Sequence, residues 1–337
     1  MVLLNCRIRN FRILLDENIQ FDENLTVISG PNGSGKTSIL EAIYFASCGR
    51  SFRSRNIQHL LMFSRKWFRV EVRMDNHYLD ARYKLPEKQK EIFLNGEKEK
   101  LSVVSTAFPF FVFNQRSLDV VKGGRKNAYL FFNKVLMRLF SGYIRSLSAY
   151  RIALNNKRLL LKKMAGNDMI KAWNCVLEEQ RGKLTKQRIW LISVLNTLLP
   201  EDVEIQYLPS QPGKALDSFL TVEREKQIVL AGSHLDRYRL LRQGKDVREY
   251  GSSGQQKRLF FDVITAVGHL FHQQRGIRPV LLLDDFDSEF DKANVVRNLD
   301  RVMGQFQVVV TTTDHQRFFS FPQELVQLKS EEKGRVE

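Results

Sequence analysis

Gly30-Pro31-Asn32-Gly33-Ser34-Gly35-Lys36-Thr37 follows the apolar run Leu25-Thr26-Val27-Ile28 and precedes Ser38-Ile39-Leu40-Glu41-Ala42-Ile43-Tyr44. The order is strand, glycine-rich loop, helix, which is the context in which such a loop binds phosphate. Glycines at 30, 33 and 35 let successive N–H groups curl around a β-phosphate at the positive end of the new helix. The expected nucleotide-binding set is therefore Gly30, Pro31, Asn32, Gly33, Ser34, Gly35, Lys36, Thr37 and Ser38. Within it Lys36 is expected to reach the β- and γ-phosphates, and the Thr37 hydroxyl to ligate Mg²⁺.

Far downstream, Pro279-Val280-Leu281-Leu282-Leu283-Asp284-Asp285 reads as a buried parallel strand ending in two carboxylates. Behind a phosphate loop, Asp284 is the expected Mg²⁺ ligand, and Asp285 is placed to orient or deprotonate an attacking water. The run Thr311-Thr312-Thr313, at the end of the strand Gln307-Val308-Val309-Val310, is expected to hydrogen-bond a γ-phosphate. Gly251-Ser252-Ser253-Gly254-Gln255-Gln256 opens an apolar helix, and hydroxyls and free amides at a helix start suit an anion. In the first 29 residues, which alternate as strands do, Arg12 of the polar corner Asn10-Phe11-Arg12 is a further nucleotide-contact candidate.

With 337 residues and 43% of them apolar, the chain can fill one large or two moderate cores. Lys and Arg number 53 against 37 Asp and Glu, a formal charge of +16 that favours a polyanionic partner. No apolar run approaches the roughly 20 residues of a membrane helix, and the start Met1-Val2-Leu3-Leu4-Asn5-Cys6-Arg7 is charged too soon for a signal peptide. A cytoplasmic protein without a membrane partner is expected. Cys6, Cys48 and Cys175 form no Cys-x-x-Cys pair, which argues against a disulfide framework or zinc site.

Between Trp67 and Phe93 short β-type runs predict an antiparallel segment, with Asn95-Gly96 as a tight turn after it. Residues 122–163 then carry eleven basic residues and no acidic one. Arg138, Arg145, Arg151 and Arg158 recur every six or seven residues and are expected to form one helical stripe, joined by Lys157 and Lys162 in binding a DNA backbone. Sequence-specific base reading is not implied. A second helix is expected from about Asp168 to Leu199, with Trp173, Leu177, Leu184, Ile189, Trp190 and Ile192 facing a core, and β-type runs return around 219–230.

This ordered set resembles the ABC-type ATPase heads of transporter subunits and of the chromosome-maintenance and double-strand-break-repair ATPases. Within that class it is similar to the RecF family of recombination-mediator ATPases. The resemblance rests on Asn10-Phe11-Arg12, residues 30–44, Gly49-Arg50-Ser51-Phe52-Arg53, residues 118–123, Asn156-Lys157-Arg158-Leu159-Leu160-Leu161-Lys162, residues 252–256 and 279–291, and Thr311-Thr312-Thr313. It implies an α/β fold, an ABC-type P-loop head whose mixed sheet includes an antiparallel β-segment, with an inserted helical lobe. Residues 1–115 and 255–337 would form the ATPase lobe, and 116–254 the second lobe with the basic arm and signature.

The resemblance also implies ATP with Mg²⁺, and an ATP-dependent homodimer in which Ser252, Ser253, Gly254 and Gln255 of one protomer approach the γ-phosphate held at Lys36 of the other. Slow, DNA-stimulated hydrolysis, a clamp on gapped DNA at single-strand/double-strand junctions, recombinase loading, and RecR and RecO as partners follow from it as well.

Departures from the family pattern are Gln115-Arg116-Ser117 for Pro-Glu-Asp, Ala128-Tyr129-Leu130-Phe131-Phe132-Asn133 for an arginine run ending in Asp, and Gly232-Ser233-His234-Leu235-Asp236-Arg237 for Gly-Pro-His-Arg-Asp-Asp. Gln115 is the candidate glutamine that senses Mg²⁺ and water, while His234 stands open between a ligand contact and a buried structural histidine. The alternative class is the ATPase subunit of a membrane transporter, against which the long basic insertion speaks. A signalling GTPase would need an Asn-Lys-x-Asp motif, and a clamp without turnover is open because Asp285 stands where Glu is commoner.

Overall fold

In the computed structural model, which describes residues 1–328, the loop-bearing strand Leu25–Ser29 is wholly buried inside a five-stranded parallel sheet. Across that sheet the order is Glu324–Gln327, Leu25–Ser29, Gln307–Thr312, Val280–Leu283 and Phe110–Phe113. Its inner strands are rich in Val, Leu and Ile and buried at every residue because both faces are covered. All five strands run the same way, so the residues that follow their carboxyl ends gather along one edge. Parallel sheets bind ligands at that edge.

A six-stranded antiparallel sheet pairs Leu14–Gln20, Leu3–Phe11, Trp67–Met74, His77–Lys84, Gln89–Leu94 and Glu97–Lys98 in that order. Asn95 and Gly96 both take positive φ in the tight turn between the last two strands, as expected. One face of this sheet packs on the Lys36–Cys48 helix, where the rings of Phe11, Phe45 and Phe68 meet edge to face. Cys6 and Cys48 are buried, Cys175 is exposed, and all three are free thiols.

Two compact units result: Met1–Leu118 with the described residues from Ile264 onward, and Asp119–Val263. The second divide falls between Val263 and Ile264 rather than between residues 254 and 255, and residues 329–337 of the expected first lobe lie outside the described residues.

The second unit is built on the helices Arg125–Leu139, Ser141–Lys162 and Asn167–Leu198 and a three-stranded antiparallel sheet of Lys245–Asp246, Arg237–Arg242 and Val203–Leu208. The two long helices run antiparallel, since Leu161 meets Ile170 at one end and the Tyr143 hydroxyl meets Arg188 at the other. Phe140 takes extended backbone (φ −125°, ψ 114°) and breaks the chain between helices. Arg138 is thereby left on the preceding helix, half-buried and partnered, and the expected single arginine stripe does not form.

Three further expectations are overturned here. Ile189 is 54% exposed while Arg188 is 0% exposed, because Leu184, Arg188, Leu191 and Leu195 share one helical face and Ile189 lies a sixth of a turn or more beyond it. Residues 219–230 hold a helix, Leu220–Lys226, in place of strands, since Leu216, Leu220 and Glu223 repeat at helical spacing toward the core. Lys157 is fully buried, its ammonium 2.6 Å from the equally buried Glu223 carboxylate, so it is removed from the DNA-contacting set.

Beside that pair, the His234 Nδ1 shares a 2.8 Å hydrogen bond with the Tyr150 hydroxyl. Burial, then the charges of Arg158, Arg125 and Lys157, push the imidazole down to about 3. Below pH 6.5 the unfolded chain takes up a proton that the folded imidazole refuses, so its contribution lowers stability as pH falls from 6.5 toward 3. His234→Gln is expected to flatten the pH dependence of the unfolding midpoint in that window, by up to about 1.4 kcal/mol per pH unit. An unchanged slope would place the acid sensitivity elsewhere.

Candidate nucleotide site

The phosphate loop closes against its surroundings in a way that demands glycine at two positions. A Cβ on Gly30 would meet the Leu328 carbonyl oxygen at 2.8 Å, and Gly35 combines φ +97° with the Leu14 side chain at 2.7 Å from a Cβ. From Gly35 the chain enters the Lys36–Cys48 helix, and the Lys36 ammonium folds back to donate to the Gly30 and Pro31 carbonyls at 2.7 and 2.9 Å. The buried Ser34 hydroxyl has no hydrogen-bond partner among the described residues. Thr37 Oγ1 donates to Asp284 Oδ1 at 2.8 Å, which brings the two expected metal ligands to one point.

An ATP–Mg²⁺ group fits this donor set. The Ser34 hydroxyl and the Lys36 ammonium face the loop that would hold phosphate, and Thr37 with Asp284 offers the two oxygens that Mg²⁺ takes from protein while keeping waters. Burial pushes the Asp284 carboxyl up to about 6; the Thr37 hydrogen bond opposes this, Asp285 adds to it, and Thr311 and Arg53 oppose it again. Asp285 stands in the left-handed region (φ 49°, ψ 42°) at the end of the strand, with its side chain exposed and its N–H bonded to Thr311 Oγ1 at 2.9 Å. Such conformations are uncommon outside glycine, and Asp tolerates them better than most residues.

The threonines do other work than expected. Thr311 Oγ1 donates to Asp284 at 3.1 Å and Thr312 Oγ1 to Asp287 at 2.7 Å, both fully buried, so they position the acids. Arg12 is likewise engaged: its guanidinium forks onto the buried Glu41 carboxylate with two 2.9 Å bonds, tying the Asn10-Phe11-Arg12 corner to the loop helix. Gln115 follows the strand Phe110–Phe113 at the same sheet edge as Asp284, and its side chain is exposed.

Two residues beside the site carried no sequence role. Arg53 lies near enough to Asp284 to draw its pKa down, and His315 Nδ1 lies 3.5 Å from Ser29 Oγ, immediately before the loop. His315 is put there by the Asp314 cap of a short 3₁₀ helix, which only the folded chain reveals.

In the second unit, Ser252 and Gln255 form a reciprocal cap. Gln255 Oε1 accepts from the Ser252 N–H at 2.8 Å, and Ser252 Oγ accepts from the Gln255 N–H at 3.3 Å. Ser252, Ser253, Gly254 and Gln255 are all exposed at that helix start, which presents its positive end to solvent. On the Ser141–Lys162 helix, Arg151, Arg158 and Lys162 share one exposed face, and Arg145 is exposed about a third of a turn away.

Strand, phosphate loop and helix, a second strand ending in Asp284 and Asp285, and a separately capped Ser-Ser-Gly-Gln helix start define a P-loop ATPase head of the ABC type. The chain belongs to the RecF/RecN/SMC N-terminal domain family, whose sequence profile matches residues 2–337. Among curated proteins it is similar to the DNA replication and repair protein RecF of Lachnoclostridium phytofermentans, 27% identical over 94% of each chain. The same protein of Lactobacillus johnsonii is 28% identical over 93% of each chain. Among solved structures it is similar to the recombination mediator protein RecF with ATP in the RecFOR pathway, with TM-score 0.82, 26% identity, and 93% of this chain and 92% of that one covered. A Pyrococcus furiosus Smc head domain bound to the C-terminal domain of ScpA shares the fold at TM-score 0.53 and 16% identity, over 95% of this chain and 91% of that one.

Proposed function

We propose that this chain is an ATP-dependent DNA-binding protein of recombinational gap repair, a weak ATPase stimulated by DNA. In this reading an ATP-induced homodimer clamps DNA at single-strand/double-strand junctions, slow hydrolysis releases it, and the clamp helps load recombinase with RecR and RecO. The observation that carries it is the meeting of Thr37 and Asp284 at the phosphate loop, in a chain similar along almost its whole length to a RecF solved with ATP.

Bound ATP with Mg²⁺ supplies the phosphoryl group that water attacks. Lys36 and the loop amides would hold and orient the phosphates, Thr37 and Asp284 would hold the metal, and Thr311 fixes the Asp284 carboxylate. Asp285, held outward by its backbone, accepts or orients the water proton, with Gln115 on the same edge. Ser252 and Gly254, exposed at a helix start, are the groups a second protomer would lend.

Light scattering with gapped duplex tests the reading: dimers are expected with ATP and absent without it. Ordinary monomer binding to every DNA, indifferent to ATP, would sink it. Replacing Arg151, Arg158 and Lys162 together by Gln is expected to weaken DNA binding uniformly and to reduce the slope of log affinity against log salt by roughly 2 to 3. An unaltered slope would remove that face from the interface. Among the described residues no helix is long and apolar enough to cross a membrane.

A further inference from the structure

Residues 42–70 contain six Lys or Arg and no Asp or Glu. Within that run Phe63 is 94% exposed, the most exposed large apolar side chain among the described residues, and Trp67 is 41% exposed. Exposure here is built, not incidental. Met62, Phe63, Ser64 and Arg65 make a turn closed by the Arg65 N–H donating to the Met62 carbonyl at 3.0 Å, with Ser64 at φ +62°. Phe63 therefore stands at the tip, and the charged Arg65 and Lys66 follow it directly, both exposed and without an ion pair among the described residues.

The base of the turn is fixed on both sides. The Met62 N–H donates to the Asn10 carbonyl at 2.9 Å, the Arg12 N–H donates to the Leu60 carbonyl at 2.8 Å, and the Leu85 N–H donates to the Lys66 carbonyl at 2.7 Å. Beyond it Trp67 begins a strand and pairs with Lys84, which adds another exposed cation. Because Arg12 also forks onto Glu41 of the phosphate-loop helix, the turn is connected through two bonded residues to the nucleotide site.

An exposed aromatic tip flanked by cations lacking acidic partners matches a ligand that offers flat apolar faces between negative charges. Unpaired nucleic acid has that chemistry; duplex hides its base faces in the stack. We propose that the turn at residues 62–67 is a stacking element for single-stranded DNA, with an unpaired base on the Phe63 ring and the adjoining phosphates on Arg65 and Lys66. The inference rests on the DNA-binding reading above and adds to it the element that tells an unpaired strand from a paired one.

The test measures fluorescence anisotropy of labelled oligo-dT and of a duplex of equal length with the full chain. Phe63→Ala is expected to weaken oligo-dT binding roughly tenfold while duplex binding changes less than twofold. Phe63→Trp should retain oligo-dT affinity and Phe63→Leu should not, because stacking needs a ring. Equal loss on both DNAs, no loss on either, or wild-type affinity in Phe63→Leu would overturn the proposal. So would Phe63-dependent binding to anionic lipid vesicles without any effect on oligo-dT. A wild-type chain that binds neither DNA defeats the DNA-binding reading itself, whereas one that binds both with Phe63→Ala unchanged defeats only the stacking turn.

Discussion

Lys36→Ala is expected to lower ATP turnover by roughly 10²- to 10³-fold, the range seen when one preorganised charge-stabilising group is removed. The Lys36 side chain is 5% exposed, and its ammonium donates to the Gly30 and Pro31 carbonyls, both within the loop itself. Those carbonyls carry no formal charge, so a triphosphate oxygen taking their place would turn an ion–dipole contact into one between opposite charges. Since no ion pair among the described residues depends on Lys36, the variant should melt close to the wild type. Lys36→Arg should not restore turnover, because a planar guanidinium cannot replace a compact ammonium inside a closed loop. Turnover within threefold of wild type, in a chain that still binds ATP, would show that Lys36 is not the phosphate ligand.

That the loop could be read from sequence follows from its locality. Its geometry is set by eight consecutive residues and the strand and helix on either side, so glycine spacing alone encodes φ and reach. The run Val280-Leu281-Leu282-Leu283 announces burial in the same way, and places Asp284 at a strand end. Some misses were also legible. Lys157 sits on the helical face of Tyr150, Leu154 and Leu161, so a count at 3.6 residues per turn buries it, and Arg188 falls with Leu184, Leu191 and Leu195 likewise. A count of charge along the chain does not separate Lys157 from its exposed neighbours, whereas position on the helical face does.

Other features were not legible, because they join residues far apart in the chain. Thr311 meets Asp284 across adjacent strands, His315 meets Ser29 over nearly the whole sequence, and the Glu41 partner of Arg12 comes from a helix two strands further on. None of these leaves a spacing signal. Nor does the exposed Phe63, since an apolar residue between strands reads as core until the turn that lifts it out is seen.

Asp236→Ala is expected to destabilise the second unit by about 3–5 kcal/mol, the cost of stripping one partner from a buried ion pair. Arg188 is 0% exposed and its guanidinium donates to Asp236 Oδ2 at 2.5 Å, to the Ser233 carbonyl at 3.1 Å, to Asn133 Oδ1 at 3.0 Å, and to the hydroxyls of Tyr143 and Tyr129 at 3.1 and 3.2 Å. Asp236 is the one charge-balancing acceptor in that list, and it also receives the Tyr207 hydroxyl at 2.5 Å and the Ser210 N–H at 2.8 Å. Alanine would leave a guanidinium buried among neutral groups. Arg188→Met should cost less, because the remaining carboxylate keeps two donors. Joining Arg188→Met to Asp236→Leu should recover much of the loss, since a well-packed apolar pair replaces buried ions at little cost. Hydrogen exchange along the Asn167–Leu198 helix, read beside denaturant unfolding, isolates this unit from the other. If Asp236→Ala shifts neither, the network orders the residues around Gly232 to Arg237 without holding the unit together. If the double variant is no better than the single one, the interaction is net favourable in its own right.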